Sequence, residues 1–138
     1  MRPRLALGGV AAGRLFQCGV FTLSSGALSY WKIDCDALSD ADIETLALML
    51  VEQLPTFGAV EGVPQGGLRL TEALRACPMR DDAAGRPLLI VDDVLTTGAS
   101  MERYRAGRNA IGAVIFARGL CPAWITPLFQ MPASPKGA

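Results

Sequence analysis

An α/β domain built on a mainly parallel sheet is the fold class this sequence predicts, and three observations predict it. Residues 87–91 and 113–117 are continuous apolar runs bounded by turn signals, the pattern of strands buried on both faces. Segments with helical spacing alternate with the strand candidates along the chain. A length of 138 residues and a hydrophobic content of 51% suit one domain with a continuous core.

Taken in order, residues 5–16 are expected to form a short, glycine-weakened helix leading into the β-prone triplet Phe21, Thr22, Leu23. Ser24, Ser25 and Gly26 then form a turn, and residues 30–33 pair back as the second strand of a hairpin. Ser39 with Asp42 three residues later is an N-cap pattern, and Ile43, Leu46, Leu50 and Leu54 follow at spacings of three and four. A helix is therefore expected here, ended by Pro55. Residues 59–63 are a short strand candidate that closes on the loop Pro64, Gln65, Gly66, Gly67, and residues 68–76 follow as a helix. The polar run 80–86 is a connector, and a helix over 100–108 lies between the two buried strands. Residues 122–138 include four prolines and are expected to be mostly irregular. The organisation expected is one domain, with hairpin elements over about residues 1–38, a core over about 39–120 and an irregular tail over about 121–138.

Composition excludes several function classes. Thirteen basic residues balance thirteen acidic ones, so no overall field draws the chain to nucleic acid or to an anionic membrane. An anionic ligand must be held by local geometry. Cys18, Cys35, Cys77 and Cys121 are far apart and form no Cys-x-x-Cys pair, so reduced structural thiols are expected. Histidine is absent, which removes His-based triads, His proton shuttles and most catalytic zinc sites. The start, residues 1–12, has a faint likeness to a signal peptide, but its apolar stretch is glycine-broken and Arg14 follows soon after. A cytoplasmic protein is expected, and no apolar run reaches membrane-spanning length.

The most informative stretch is residues 88–100, Leu-Leu-Ile-Val-Asp-Asp-Val-Leu-Thr-Thr-Gly-Ala-Ser. Two carboxylates, Asp92 and Asp93, are expected to end a buried strand, and Thr96, Thr97, Gly98, Ala99 and Ser100 form a turn that opens the next helix. Ligands of open α/β sheets sit at the carboxyl ends of strands, and N–H groups at a helix start favour a phosphate. Gly98 lets the backbone approach closely, and Thr96, Thr97 and Ser100 add hydroxyl donors. The acids then fall beside the sugar that carries the phosphate, where carboxylates accept hydrogen bonds from a vicinal diol. They also help retain a hydrated Mg2+, which commonly bridges carboxylates and substrate phosphates. A bare magnesium site or a helix cap would explain the acids but not the Thr-Thr-Gly-x-Ser that follows.

This stretch resembles the phosphoribosyl pyrophosphate (PRPP) signature of type I phosphoribosyltransferases at nearly every position. The resemblance implies that family's fold, a mainly parallel sheet flanked by helices with a small amino-terminal hood. Phe21, Thr22, Leu23, Ser24, Ser25, Gly26, with Ser29 and Asp34 following, looks like the hood of orotate phosphoribosyltransferases. That likeness makes Ser24, Ser25, Gly26 and Lys32 the candidate base contacts. Pro64, Gln65, Gly66 and Gly67 are similar to the family's pyrophosphate loop, which in relatives offers backbone N–H groups to the leaving group. Relatives acting on 6-oxopurines carry an acidic residue where this chain has Thr96, so the resemblance tilts towards orotate. The reaction implied is transfer of the 5-phosphoribosyl group to a nucleobase with release of pyrophosphate. Asp92 and Asp93 would be the catalytic acids and would hold Mg2+ directly or through water or ligand. The family is usually dimeric, so a homodimer is expected.

Two departures qualify the resemblance. Orotate enzymes carry a long mobile loop with lysine, arginine and histidine before the signature strand. Here only the twenty residues 68–87 separate Gly67 from Leu88, with arginines but neither lysine nor histidine. Ser24 also stands where many orotate enzymes have lysine, and Lys32 where an aromatic residue often sits. Lys32 either restores lost positive charge or is a snorkelling strand lysine. Tyr30 and Trp31 either stack on a base or pack on a core, and Arg118, after a buried strand, has the same two readings. The alternatives to an orotate-type transferase are a non-catalytic module binding PRPP or a nucleotide, and an incomplete subunit that needs a partner.

Overall fold

The computed structural model describes residues 13–23, 25–77 and 85–132. The chain divides into two compact units, Met1–Ser39 and Asp40–Ala138.

The first unit is a hairpin. Strand β1 (Phe16–Thr22) pairs antiparallel with β2 (Leu28–Ile33), from Phe16 opposite Ile33 to Thr22 opposite Leu28, with a register shift between Cys18 and Phe21. The turn closes through Gly26 N–H to the Leu23 carbonyl (2.8 Å) and Leu23 N–H to the Ala27 carbonyl (2.8 Å). Gly26 has φ +89°, a left-handed conformation that glycine enters without a Cβ penalty. At the open end, buried Gln17 donates to the Arg14 carbonyl (2.9 Å) and to Asp34 Oδ2 (3.2 Å). The expected hairpin is present but longer, and it corrects the end of the helix expected over 5–16. Residues 5–12 lie outside the described residues, Gly13 is in a turn, and Phe16 is already strand. Cross-strand pairing with β2 overrides the weak helical propensity of this end.

The second unit holds a sheet of β3 (Val60–Gly62), β4 (Leu88–Leu95), β5 (Ala110–Ala117) and β6 (Ile125–Gln130), in that order with every pair parallel. Helix α1 (Asp40–Gln53) buries Ile43, Ala47 and Leu50, and its turns end at the bond from Leu54 N–H to the Leu50 carbonyl, just before Pro55. After β3 (Val60–Gly62), helix α2 (Leu68–Ala76) buries Leu70, Thr71 and Leu74 and packs against α1, β3 and β4. Strands β4 (Leu88–Leu95) and β5 (Ala110–Ala117) are the centre of the core. Leu89, Ile90, Val91, Ala113, Val114 and Ile115 have no exposed surface, as expected of strands covered on both faces. Each fully buried aliphatic side chain stabilises the fold by about 1.5–3 kcal/mol. Helix α3 (Ala99–Arg105) joins one face through Met101, which clusters with Ile90, Leu95 and Val114. The four cysteines are free, and no described helix is long and apolar enough to cross a membrane.

Three sequence expectations need correction. Residues 122–138 are not mostly irregular in their described part, because β6 (Ile125–Gln130) is an edge strand parallel to β5. Its proline is tolerated by phase. The Trp124 carbonyl accepts from Gly112 N–H (2.7 Å), so even-numbered groups face β5 and the missing N–H of Pro127 falls on the open side. The acids do not end β4, since Val94 and Leu95 continue the ladder opposite Phe116 and Ala117. Helix α3 begins at Ala99 and stops at Arg105, where Ala106 turns left-handed (φ 52°).

Candidate functional site

Two loops leave the carboxyl ends of adjacent strands, one after β3 and one after β4. The first is held by its backbone. Val63 N–H donates to the Val91 carbonyl (2.9 Å), Gly67 N–H to the Val63 carbonyl (2.8 Å) and Leu68 N–H to the Gln65 carbonyl (3.1 Å). Buried Thr71 donates both its N–H (3.0 Å) and its hydroxyl (2.8 Å) to the Gly67 carbonyl. The peptide between Pro64 and Gln65 is cis. A Cβ on Gly67 would lie 2.5 Å from the Val91 carbonyl oxygen and 2.8 Å from Val63 N, so only glycine fits. Of the four residues expected to offer N–H groups, Pro64 has none and that of Gly67 is committed internally. The N–H groups of Gln65 and Gly66 make no bond within the described residues and stand in the exposed part of the loop.

The acids meet this loop. A Cβ on Gly66 would lie 2.5 Å from Asp93 Oδ1, so the Asp93 carboxylate sits directly against the glycine backbone. Asp93 N–H donates to Asp92 Oδ1 (2.8 Å), and Val94 N–H to Asp93 Oδ1 (2.7 Å). Burial, and then the negative charge of Asp93, push the Asp92 carboxyl up to about 8. Two adjacent, half-buried acids disfavour a second negative charge, and a cation would relieve that.

The second loop is the turn between β4 and α3. Gly98 has φ +86°, and Glu102 N–H donates to the Gly98 carbonyl (3.0 Å) as the first bond of α3. Ala99 N–H donates to Thr97 Oγ1 (3.2 Å), which leaves the Thr97 hydroxyl proton to donate outward. Ser100 Oγ lies 3.5 Å from Arg103 Nη2. The N–H groups of Thr97, Gly98 and Ser100 make no bond within the described residues; Thr97 is exposed and Ser100 half-buried, while Gly98 is buried, and an anion at the turn would satisfy these donors. The connection from β5 to β6 backs this turn. Arg118 N–H donates to the Leu95 carbonyl (2.8 Å), a Cβ on Gly119 would lie 2.3 Å from the Thr96 carbonyl oxygen, and Pro122 packs over Gly98. Partial burial lowers the pKa of Arg118. A cation directly after a buried strand was the signal available for Arg118. In sequence it is indistinguishable from a solvated arginine, and its place beside the turn is a product of sheet order.

The structure thus brings Pro64, Gln65, Gly66 and Gly67 together with Asp92 and Asp93 and sets the 96–100 turn on the same strand as the acids. The candidate base contacts belong to the hairpin unit. Ser24 lies outside the described residues, Ser25 Oγ accepts from Ala27 N–H (3.4 Å), and the Lys32 ammonium stands 5.0 Å from the centre of the Phe21 ring. A cavity of about 430 Å³ lies elsewhere, between α1 and α2, and shares no residue with either loop. Its mouth carries the Asp40–Arg69 ion pair (3.0 Å).

No group of three or more acids, cysteines or histidines suited to a metal occurs among the described residues. Asp92 and Asp93 therefore fit Mg2+ only as part of a set completed by water and ligand oxygens. That is the usual coordination of this ion, and the raised pKa of Asp92 marks a place where positive charge is favoured.

No protein-family model matches the sequence, and no curated protein matches it. Solved structures do match. The orotate phosphoribosyltransferase of Aeropyrum pernix is 22% identical, with 86% of this chain and 89% of that one covered at a TM-score of 0.67. The UMP synthase of Leishmania donovani is 18% identical at a TM-score of 0.67, with 86% of this chain but only 34% of that one covered. The orotate phosphoribosyltransferase of Mycobacterium tuberculosis, in complex with inorganic phosphate, is 19% identical over 86% of this chain and 90% of that one, at a TM-score of 0.61. The fold is therefore that of the type I phosphoribosyltransferases. Within that class, the architecture is the one seen in orotate phosphoribosyltransferases.

Proposed function

We propose that the chain binds PRPP and transfers its 5-phosphoribosyl group to a nucleobase, orotate being the favoured acceptor. The observation that carries this reading is the meeting of Asp93 with Gly66, which makes the Pro-Gln-Gly-Gly loop and the paired acids one continuous rim at the ends of β3 and β4. In this reading the 96–100 turn takes the 5-phosphate through the N–H groups of Thr97, Gly98 and Ser100 and the neighbouring hydroxyls. Asp93 and Asp92 accept from the ribose hydroxyls, and Gln65 and Gly66 donate to the pyrophosphate. Mg2+, held by Asp92 and Asp93 with ligand oxygens, would supply charge neutralisation on the departing pyrophosphate. The chain's own contribution is positioning and fixed donors aimed at that charge. Orotate is favoured because Thr96 offers no carboxylate for proton exchange with a purine, and orotate reacts through an already anionic ring nitrogen. The base contacts implied by the resemblance are Ser24, Ser25, Gly26 and Lys32, and the assembly implied is a homodimer of the usual family kind.

Calorimetric titration with PRPP, with and without Mg2+, tests the binding. Pyrophosphate release with orotate, uracil or a purine tests the transfer. Absence of PRPP binding removes the reading, and a purine as sole acceptor removes the orotate preference.

One observation favours a second reading, a module that binds PRPP without turnover. Helix α2 uses residues 68–76, so only residues 77–87 remain before β4 for any lid over the site. A site without a lid admits water and loses charge stabilisation of the leaving group. Tight magnesium-dependent binding with no product from any base would favour this module, or a subunit whose activity appears on adding a second protein.

A further inference from the structure

Helix α3 follows the turn assigned to the 5-phosphate, yet it has little to hold it. It is seven residues long, and Met101 is its one buried side chain. A helix this short is marginal by itself, so its orientation must come from side-chain contacts. Tyr104 also packs against the core, and the polar contacts of Glu102 and Arg105 converge on Trp124, at the entry to β6. The indole Nε1–H donates to Glu102 Oε2 (2.8 Å), and the Arg105 guanidinium lies over the indole at 4.3 Å from its centre while also pairing with Glu102. Hydrogen bonds from Arg105 and Trp124 hold the Glu102 carboxyl below its ordinary pKa, so it is ionised at neutral pH.

The indole is also fixed to the sheet. A Cβ on Gly112 would lie 2.9 Å from the ring, and Gly112 N–H donates to the Trp124 carbonyl (2.7 Å). The chain of contacts therefore runs from β5 through Trp124 to Glu102. From Glu102 N–H it reaches the carbonyl of Gly98 in the middle of the turn. Pro122, two residues before Trp124, packs on Gly98 from the same connection.

We infer that Glu102 and Trp124 are positioning residues for the phosphate-binding turn. Their hydrogen bond sets the pitch of α3 and so the aim of the Thr97, Gly98 and Ser100 N–H groups, without either residue touching the ligand. This rests on the phosphoribosyl reading of the turn. It predicts a selective defect. The loop after β3 is held by Val63, Gly67 and Thr71 and does not depend on the brace.

The test compares two probes on the full chain, ribose 5-phosphate for the turn and magnesium pyrophosphate for the loop after β3. Trp124→Phe, which keeps the ring and loses the donor, should weaken ribose 5-phosphate about fivefold to tenfold, the scale of one charge-assisted hydrogen bond, and leave pyrophosphate within twofold. Glu102→Ala should do the same, and it carries the test alone if the tryptophan variant fails to fold. Glu102→Gln, which keeps an acceptor for the indole, should restore most of the affinity. Equal affinities in all variants, or equal loss for both probes, would overturn the positioning role. Wild-type protein that does not bind ribose 5-phosphate would instead overturn the reading of the turn, and this inference with it.

Discussion

The two loops at the carboxyl ends of β3 and β4 are kept in shape by different means. The loop at Pro64, Gln65, Gly66 and Gly67 depends on side chains that are absent, with backbone atoms of Val63 and Val91 and the Asp93 carboxylate filling the space where a Cβ would be. The turn from Thr96 to Ser100 depends on side chains that are present, those of Thr97, Pro122 and, through α3, Glu102 and Trp124. Each is vulnerable in its own way. Additions at Gly66 or Gly67 damage the first loop, whose one side-chain brace is Thr71; the second has constrained glycines of its own at Gly98 and Gly119 and is also open to deletion at Thr97, Glu102 and Trp124.

The largest expected effect sharpens that contrast. Gly67→Ala places a methyl 2.5 Å from the Val91 carbonyl, which neither strand can yield cheaply. It should cost about 2–3 kcal/mol, the scale of overpacking a tight site, and abolish pyrophosphate binding. Chemical denaturation reads the first and calorimetry the second, and a variant as stable as wild type would break the description of this loop. Next in size, Asp93→Asn should weaken PRPP about tenfold, in line with loss of a charged hydrogen-bond acceptor, with the melting temperature nearly unchanged. Unaltered affinity would mean the sugar is not held by this acid.

The smallest effect concerns the neighbouring acid. Because its folded pKa, about 8, lies above the unfolded 3.8, the native state binds more protons than the unfolded chain between those values. Asp92 is therefore most favourable to stability at low pH, and its contribution falls as pH rises through that window. Asp92→Asn should match wild type near pH 4 and exceed it by about 1 kcal/mol above pH 8, after allowance for partial solvation. Thermal melts at the two ends of that range would show it, and parallel pH profiles would remove the buried-charge explanation.

Much of this architecture was legible in the sequence because burial on both faces leaves unbroken apolar runs. Residues 87–91 and 113–117 mark β4 and β5, and the three-and-four spacing from Ile43 marks α1. The helix expected over 68–76 is α2. What escaped depends on partners distant in sequence. Pro127 obscured β6, whose existence requires β5 alongside it, and Val94 and Leu95 lengthen β4 only because Phe116 and Ala117 stand opposite. Near the ends of β3 and β4, the thirteen-residue stretch pointed to the acids and the turn through residue type and order alone. The committed N–H of Gly67 and the brace from Trp124 are invisible without the chain folded back on itself.

The placement of Pro127 has a consequence for how the protein behaves in company. An open sheet can recruit a foreign strand along either margin, and the result is aggregation. Here one margin, β3, is three residues long, too brief to template a ladder. The other, β6, presents an imino acid where an incoming strand would need a donor. The same residue that hid a strand from sequence inspection protects the finished sheet from its neighbours.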